Sequence, residues 1–458
     1  MSRIVVIGAG PAGLRTVECL AEAGLRPILI DESRRPGGQI YRQPPNGVPD
    51  AARLYGFEAS KATALHALLA RLGDRVEYRP DTLVWAIEGK RLSLLTGGNQ
   101  HSFIEADALV LTTGAMDRIL PFPGWTLPGV YTLGAAQIAL KSQGVAIGRR
   151  VALVGAGPLL PLVTHQYRKA GAELVLSLDV TGLAPKLVLA GAMLANPKTV
   201  AKGLFYLARN ALGGVPQRFG AKSLQAIGDG RVEGLVWQDN AGRSHTIACD
   251  AIGVSFGLRS EIQLADLAGC AMAFDPLTRQ WQPERSPEGR SSVAGVYLAG
   301  DGAVIGGADV AELAGPRTAL TVLADLGHKV DPARLAHLDS ALARQRRFRV
   351  ALEHAYPFPA ALLDTLDDAE ILCRCEGITV GTLRAAVRGR DVTEINRLKA
   401  LTRIGMGRCQ GRVCGQAAAE LLARERAVEV EAVGRLRSNP PVKPVPLQAP
   451  LAASEDAA

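Results

Sequence analysis

Ile4-Val-Val-Ile-Gly8-Ala-Gly10-Pro11-Ala12-Gly13 sets the architecture of this 458-residue chain. Its four apolar residues predict a buried strand, and the Gly8-x-Gly10-x-x-Gly13 spacing directly after it predicts a tight turn that opens a helix. The first glycine permits the turn, the second lets a pyrophosphate approach the backbone, and the third lets helix and strand pack closely. We therefore predict a Rossmann unit with a dinucleotide over this loop.

An acidic residue is expected about twenty residues after the glycine loop, where it binds a ribose hydroxyl. Asp31 follows the second apolar strand and fits this position best. Glu32, beside it, is the alternative.

Three further segments narrow the choice of dinucleotide. They are Gly37-Gly38-Gln39-Ile40, Leu111-Thr-Thr113-Gly114-Ala115 and Val296-Tyr-Leu-Ala-Gly300-Asp301. In this order they resemble segments of the two-dinucleotide-domain flavoproteins of the glutathione-reductase-like superfamily. The resemblance implies FAD, with Asp301 at the ribityl–phosphate region and the middle segment against the adenosine half.

A second Rossmann unit is predicted from Gly155-Ala-Gly157-Pro-Leu-Leu160, again directly after an apolar strand. Leu160 stands where the third glycine is expected, and a side chain there pushes the helix away from the strand. Asp179 is still placed to bind a ribose. We interpret this unit as one that has lost or changed its use of NAD(P). A tolerated variant that still binds NAD is the alternative.

Four of the seven cysteines form two close pairs, Cys373-Arg-Cys375 and Cys409-Gln-Gly-Arg-Val-Cys414. Four thiolates from two loops suit an iron–sulfur cluster, although they also suit tetrahedral zinc, and a disulfide is a further alternative. The pattern resembles the bacterioferritin-associated-ferredoxin-like 2Fe–2S domain.

The three remaining cysteines are isolated and are expected to be small buried hydrophobes; they are Cys19, Cys249 and Cys270. No C-x-x-C or C-x4-C pair occurs before residue 371, which excludes a dithiol mechanism of the thioredoxin-reductase kind. Clustered cysteines without a secretory signal point to a reducing cytoplasm.

The net charge is +8 and the pI about 9.2. The basic residues are dispersed, so a solvated surface, or a docking face for an acidic partner, explains them better than nucleic acid does. The sequence contains no run of about twenty apolar residues, so no membrane-spanning helix is predicted.

Strand–helix alternation predicts an α/β fold with parallel sheets. We expect an FAD-binding domain at 1–130 and 290–330, a degenerate NAD-type Rossmann domain at 131–289, a helical connector at 331–370 and a small helical 2Fe–2S domain at 371–425. The tail at 437–458, rich in proline and alanine and then acidic, is predicted to be disordered.

Residues 1–425 as a whole resemble the flavoprotein subunits of opine oxidases, and are similar to those of hydrogen cyanide synthase and of hydroxyproline or proline dehydrogenases. Besides the cysteine module and Leu160, Gly37-Gly-Gln-Ile-Tyr-Arg42 and Phe122-Pro-Gly-Trp-Thr-Leu-Pro-Gly-Val130 carry this resemblance.

The resemblance implies a division of labour. A smaller FAD subunit, similar to D-amino-acid dehydrogenases, oxidises a C–N bond. The present chain then passes the electrons through FAD and a 2Fe–2S cluster to a respiratory acceptor. Some relatives add FMN at the subunit interface or a small ferredoxin-like subunit. The complex would be cytoplasmic, or peripheral to the inner membrane.

Two other functions compete with this one, a self-sufficient NAD(P)H-dependent oxidoreductase and a non-enzymatic scaffold. No acid–base constellation for amine oxidation is evident among the scattered histidines. His354 near Tyr356 is a candidate to line a site, although a surface or core position is the more common place for a histidine. The weakly charged stretch 183–215 is either a subunit interface or a packed helical insert.

Overall fold

A computed structural model describes residues 2–44, 55–188, 191 and 195–447. Its strands, in chain order, are β1 (Ile4–Ile7), β2 (Ile28–Ile30), β3 (Glu77–Arg79), β4 (Thr82–Glu88), β5 (Arg91–Thr96), β6 (Gln100–Glu105), β7 (Ala108–Leu111), β8 (Ala115–Asp117), β9 (Val130–Thr132), β10 (Arg150–Gly155), β11 (Glu173–Asp179), β12 (Gln217–Phe219), β13 (Ser223–Ile227), β14 (Gly234–Gln238), β15 (Ser244–Ala248), β16 (Ala251–Ser255), β17 (Leu258–Ser260), β18 (Met272–Asp275), β19 (Gln280–Pro283), β20 (Val296–Leu298), β21 (Ile371–Cys373) and β22 (Ile378–Thr379).

The α-helices in the described part of the chain are α1 (Pro11–Glu22), α2 (Ala59–His66), α3 (Leu68–Leu72), α4 (Leu133–Ile138), α5 (Leu159–Lys169), α6 (Pro197–Leu212), α7 (Gln263–Leu267), α8 (Ala308–Asp325), α9 (Pro332–Ala355), α10 (Val380–Arg390), α11 (Ile395–Thr402) and α12 (Gly415–Arg426). A π-helical turn (Ala139–Gln143) extends α4.

The first domain is built on a parallel sheet in the order β20-β7-β1-β2-β3. Every residue of β1 and β7 is buried, as expected for strands covered on both faces. On one face Ile4 and Val6 pack towards α1 and α8. On the other, Val5 and Ile7 pack towards the antiparallel sheet β4-β5-β6.

The second domain repeats this plan with a parallel sheet in the order β12-β11-β10-β16-β9. Its central strand β10 buries side chains on both faces. β9 begins at Val130, the last residue of the predicted FAD-binding segment, and belongs to this second sheet. The antiparallel sheet β13-β14-β15 completes the domain.

The cysteine module consists of the β21–β22 hairpin and the helices α10, α11 and α12. Its buried leucines, among them Leu383 and Leu422, join one core with residues of the second domain, and each such leucine stabilises the fold by about 1.5–3 kcal/mol. Trp125 fixes the junction, because its Nε1 donates a hydrogen bond to Ile371 O at 2.6 Å. The chain therefore has two Rossmann-type domains followed by a C-terminal helical module, as the sequence predicts.

The long helix α9 and a 3-10 turn (Ala360–Thr365) occupy the region predicted as a helical connector. No helix in the described residues is both long and apolar enough to cross a membrane.

The prediction of disorder from residue 437 is wrong for residues 437–447, while residues 448–458 lie outside the described residues. Val442 is only 3% exposed and joins the core of the first domain. Its backbone N donates to Trp85 O at 2.9 Å, and Ser438 N donates to Asp266 at 2.7 Å. Burial of one valine and these hydrogen bonds hold a segment whose composition signals disorder.

Candidate cofactor sites

The glycine loop between β1 and α1 has no room for side chains. Gly8 has φ +108°, and a Cβ there would lie 2.4 Å from Thr112 O. A Cβ on Gly13 would lie 1.8 Å from Gly8 O. Both positions therefore require glycine, as predicted from the spacing.

The N-terminus of α1 is open to an anion. Gly10 caps the helix in an extended conformation and supplies no side-chain cap, Pro11 follows, and the first turn holds no acidic residue. The first-turn N–H groups, beginning with that of Ala12, thus remain available for phosphate oxygens.

The two acidic candidates have different environments. Asp31 accepts hydrogen bonds from Ala9 N of the glycine loop and from Ser33 N, and burial raises its pKa. Glu32 points away and is paired with Lys443. Of the two, Asp31 is therefore the one held against the glycine loop.

The three remaining predicted segments converge on this helix end. A Cβ on Gly38 would lie 2.9 Å from Gly10 Cα, and a Cβ on Gly300 would lie 2.8 Å from Ala12 Cβ. A Cβ on Gly302 would lie 2.4 Å from Thr113 Oγ1. The close backbone approach leaves a cradle at the carboxyl edge of the first sheet.

Asp301 sits in this cradle just after β20. Its Oδ1 accepts hydrogen bonds from Gly306 N and Gly307 N, both at 2.8 Å, and burial raises its pKa. Within the described part of the chain Oδ2 accepts no hydrogen bond, which leaves it for a ligand hydroxyl. Gly114 and Ala115 continue the opposite wall, while Gln39 accepts from Arg42 Nη2 at 3.1 Å.

The second glycine loop has the same spacing as the first, but Leu160 occupies its third position. A Cβ on Gly155 would lie 2.2 Å from Ser255 O, so this glycine is required. Leu160, 3% exposed, instead packs among Leu153, Val163 and other apolar residues under α5. The helix is thus held by a hydrophobic contact where a nucleotide-binding loop has a close glycine contact.

The carboxylate of Asp179, the predicted ribose ligand of the second unit, is already bonded to other residues of this chain. Its Oδ2 lies 3.1 Å from Lys186 Nζ, and its Oδ1 accepts from Thr181 N and Oγ1 at 2.9 and 2.6 Å. Lys186 also lies over the Tyr356 ring, 5.0 Å from its centroid.

The cavity above this second loop is partly roofed by the end of α9. Glu353 and Tyr356 line it together with Gly157 and the buried Arg118. Arg118 stacks on Phe358 at 3.5 Å, and burial lowers its pKa to about 9. His354, the candidate from the sequence, is exposed to solvent.

The four predicted cysteine ligands come together. Cys373 contacts Cys414, and Cys375 contacts Cys409. A hydrogen bond from Cys414 lowers the pKa of Cys373 to about 6, and the backbone N–H groups of Gly405, Glu376 and Cys375 are also directed at the sulfur. Backbone N–H groups around thiolates are typical of iron–sulfur sites.

The cysteine side chains meet as two pairs. Among the described residues, no three His, Cys, Asp or Glu side chains are placed around a single point as ligands of one metal ion. A 2Fe–2S cluster takes two thiolates on each iron, so two neighbouring pairs fit it, and four cysteines also fit one tetrahedral zinc. Gly407 permits the close approach, because a Cβ there would lie 2.3 Å from Cys375 Cβ.

The segment after β17 connects both sites and carries no sequence motif. Glu261 accepts a hydrogen bond from Arg412 Nε at 2.7 Å, inside the second cysteine loop. The Glu261 backbone is bonded to Thr113 and Gly114 of the flavin cradle. In the sequence, the only signal for this connection is that Arg412 lies between two ligand cysteines.

The fold and these sites define a class. Residues 2–319 match the pyridine nucleotide-disulphide oxidoreductase family, and residues 371–424 match the BFD-like [2Fe-2S] binding domain. The chain belongs to this oxidoreductase family, with an added iron–sulfur module, and these matches imply a flavin and a 2Fe–2S cluster.

Particular relatives follow from sequence. The chain is 36% identical to an opine oxidase subunit of Rhizobium meliloti, covering 97% of this chain and 86% of the relative. It is 30% identical to hydrogen cyanide synthase subunit HcnB of Pseudomonas aeruginosa, covering 98% of both. The resemblance to opine oxidase flavoprotein subunits is thereby confirmed.

Solved structures support the fold. L-proline dehydrogenase from P. horikoshii superposes with a TM-score of 0.71 at 20% identity, over 97% of this chain and 78% of that chain. Thioredoxin reductase from T. acidophilum matches with a TM-score of 0.52 at 18% identity, over 71% of this chain and 98% of that chain.

Proposed function

We propose that this chain is the electron-transfer subunit of a heteromeric amine or opine dehydrogenase. The observation that carries the proposal is the direct contact between the flavin cradle and the cysteine loop through Glu261. In the proposal, FAD binds at the first Rossmann loop and the cluster at the four cysteines. Both redox groups then lie on one chain, within a few hydrogen bonds of each other.

The residues of this chain would hold the cofactors as follows. The free N–H groups of α1 would bind the pyrophosphate, Asp31 the adenosine ribose and Asp301 the ribityl chain. The bound flavin would supply the electron chemistry. The chain's own contribution is to orient the cofactor and to keep water from it.

Substrate oxidation is assigned to a partner, a smaller FAD subunit similar to D-amino-acid dehydrogenases. Relatives of this chain are named as subunits of opine oxidase and hydrogen cyanide synthase. We propose that FMN at the interface, a respiratory acceptor at the inner membrane and a small ferredoxin-like subunit complete the route in some arrangements. A self-sufficient NAD(P)H oxidoreductase is disfavoured, because Lys186 neutralises Asp179 and α9 roofs the second loop.

The helix α6 offers a surface for such a partner. Its outward residues include Leu204, Phe205 and Leu212, which are 55, 40 and 81% exposed, while polar Asn210 is buried on its packed side. Phe57 continues the apolar surface, with ring centroids of Phe57 and Phe205 5.0 Å apart. An outward apolar face is typical of a protein interface, and residues 180–228 contain no Asp or Glu, which favours a partner with an acidic rim.

Co-expression with a candidate FAD subunit tests this function. After anaerobic addition of an amine or opine donor, the complex should show the electron paramagnetic resonance (EPR) signal of a reduced 2Fe–2S cluster. The chain alone should show none with the same donor. Cluster reduction by the donor in the lone chain would contradict the division of labour.

A further inference from the structure

One carboxylate joins the flavin cradle to the cysteine loop. Glu261 N donates to Gly114 O at 3.0 Å, and Thr113 Oγ1 donates to Glu261 O at 2.6 Å. On its other side, Glu261 Oε2 accepts from Arg412 Nε at 2.7 Å. Its Oε1 accepts from Gln263 N at 3.1 Å, so both carboxylate oxygens are engaged.

The guanidinium of Arg412 is held firmly at this position. Its side chain is 9% exposed, and its Nη1 donates to Val442 O at 2.6 Å. Arg412 stands in the loop that supplies Cys409 and Cys414, and its positive charge is fixed against Glu261 and Val442 beside that loop.

Arg259 places a second cation under the same loop. It lies on β17, where it pairs with Met116 of β8, and its Nη1 donates to Arg412 O at 3.2 Å. Burial lowers the pKa of Arg259, whereas Glu261 and the thiolates of Cys409 and Cys414 favour its charged form. An arginine stays protonated in proteins, so this charge is permanent.

These charges act on a group whose own charge changes. A four-thiolate 2Fe–2S cluster carries two negative charges when oxidised and three after one ferric ion accepts an electron. Fixed cations in a site with little water stabilise the more negative state. A fixed carboxylate opposes them.

We propose that Arg259 and Arg412 are positioning residues for electron transfer, which raise the reduction potential of the cluster, and that Glu261 moderates their effect and locks them to the flavin cradle. The cluster is thereby made a better electron acceptor than it would be without the two arginines. This inference rests on the proposed cluster, and is independent of the amine substrate and of the partner subunit.

The test is a redox titration of the purified, cluster-containing full chain with dithionite, followed by EPR. Arg259→Gln should lower the midpoint potential, Arg259→Lys should restore most of it, and Glu261→Gln should raise it. Loss of structure alone would not shift the potential in opposite directions for two residues that contact the same arginine.

Each outcome decides a separate point. An unchanged potential in both Arg259→Gln and Glu261→Gln, or shifts of the same sign, overturns the inference while the cluster assignment stands. Absence of iron from the wild-type chain overturns the proposed electron relay itself. If Arg259→Gln does not retain its cluster, Glu261→Gln decides the matter: a raised potential supports the inference, and an unchanged or lowered potential overturns it.

Discussion

Leu436 closes the cysteine loop from outside, and replacing it by alanine should loosen the cluster site. Three glycines form the hollow that receives it: a Cβ on Gly405, Gly411 or Gly415 would lie 2.7, 2.6 or 2.9 Å from Leu436 Cδ1. No larger residue fits at any of the three positions without moving this side chain.

The size of the effect follows from burial. A fully buried Leu→Ala substitution costs about 2–5 kcal/mol. Leu436 is half-buried at the surface of the module, so we expect Leu436→Ala to lower the free energy of unfolding of the module by about 1–2 kcal/mol. The segment after it is anchored independently, since Ser438 N donates a hydrogen bond to Asp266 at 2.7 Å, so the segment should stay attached.

The assay is loss of cluster absorbance in air and in urea. Leu436→Ala should lose its cluster faster in air, and at a lower urea concentration, than wild type. Val428→Ala is the matched control, because Val428 is 46% exposed beyond the end of α12. Equal rates and midpoints for Leu436→Ala and wild type would refute the role assigned to this contact.

Three other substitutions test separate parts of the structure. Gly13→Ala should weaken FAD binding at least about tenfold, or 1.4 kcal/mol, because its Cβ would meet Gly8 O at 1.8 Å; Gly203→Ala, where nothing lies within 4 Å, should keep its flavin, as absorbance of the purified proteins will show. Burial lowers the pKa of Lys141 to about 7, so between about pH 7 and 10 the unfolded chain binds the extra proton and wild-type stability rises with pH. Lys141→Met should lack that rise, so the difference in free energy of unfolding between the variant and wild type should shrink by up to about 1.4 kcal/mol per pH unit over this range. Free energies from urea unfolding that change with pH in the same way for both proteins would contradict this. Leu204→Ser should weaken co-purification with the partner subunit without changing flavin or iron content, and an unaffected complex would exclude α6 from the interface.

The parts predicted well from the sequence are those fixed by local geometry. The Gly8–Gly13 loop needs glycine for reasons of backbone conformation and close approach, so its spacing alone identifies it. The two cysteine pairs can also be identified from their spacing, because the two cysteines of each pair stand close together in one short loop. The choice between Asp31 and Glu32 is harder, since both follow the same strand, and only the packing of Ala9 and Lys443 separates them.

The parts that sequence could not supply depend on distant contacts. Lys186 neutralises Asp179 only because the chain turns back after β11. Glu261 and Arg412 are 151 residues apart and belong to no common motif. The segment 437–447 contains four prolines, so its composition predicts disorder, yet one buried side chain, Val442, anchors it to the first domain.

The proposed relay requires that one chain holds a flavin and a 2Fe–2S cluster and does not take its electrons from NADH. Anaerobic purification followed by absorption spectra, EPR, and iron, zinc and flavin analysis, before and after addition of NADH, measures all of these together. We expect flavin and iron on the same chain, a 2Fe–2S signal after dithionite, and no bleaching by NADH. Rapid bleaching by NADH, or zinc in place of iron at the four cysteines, would contradict the relay.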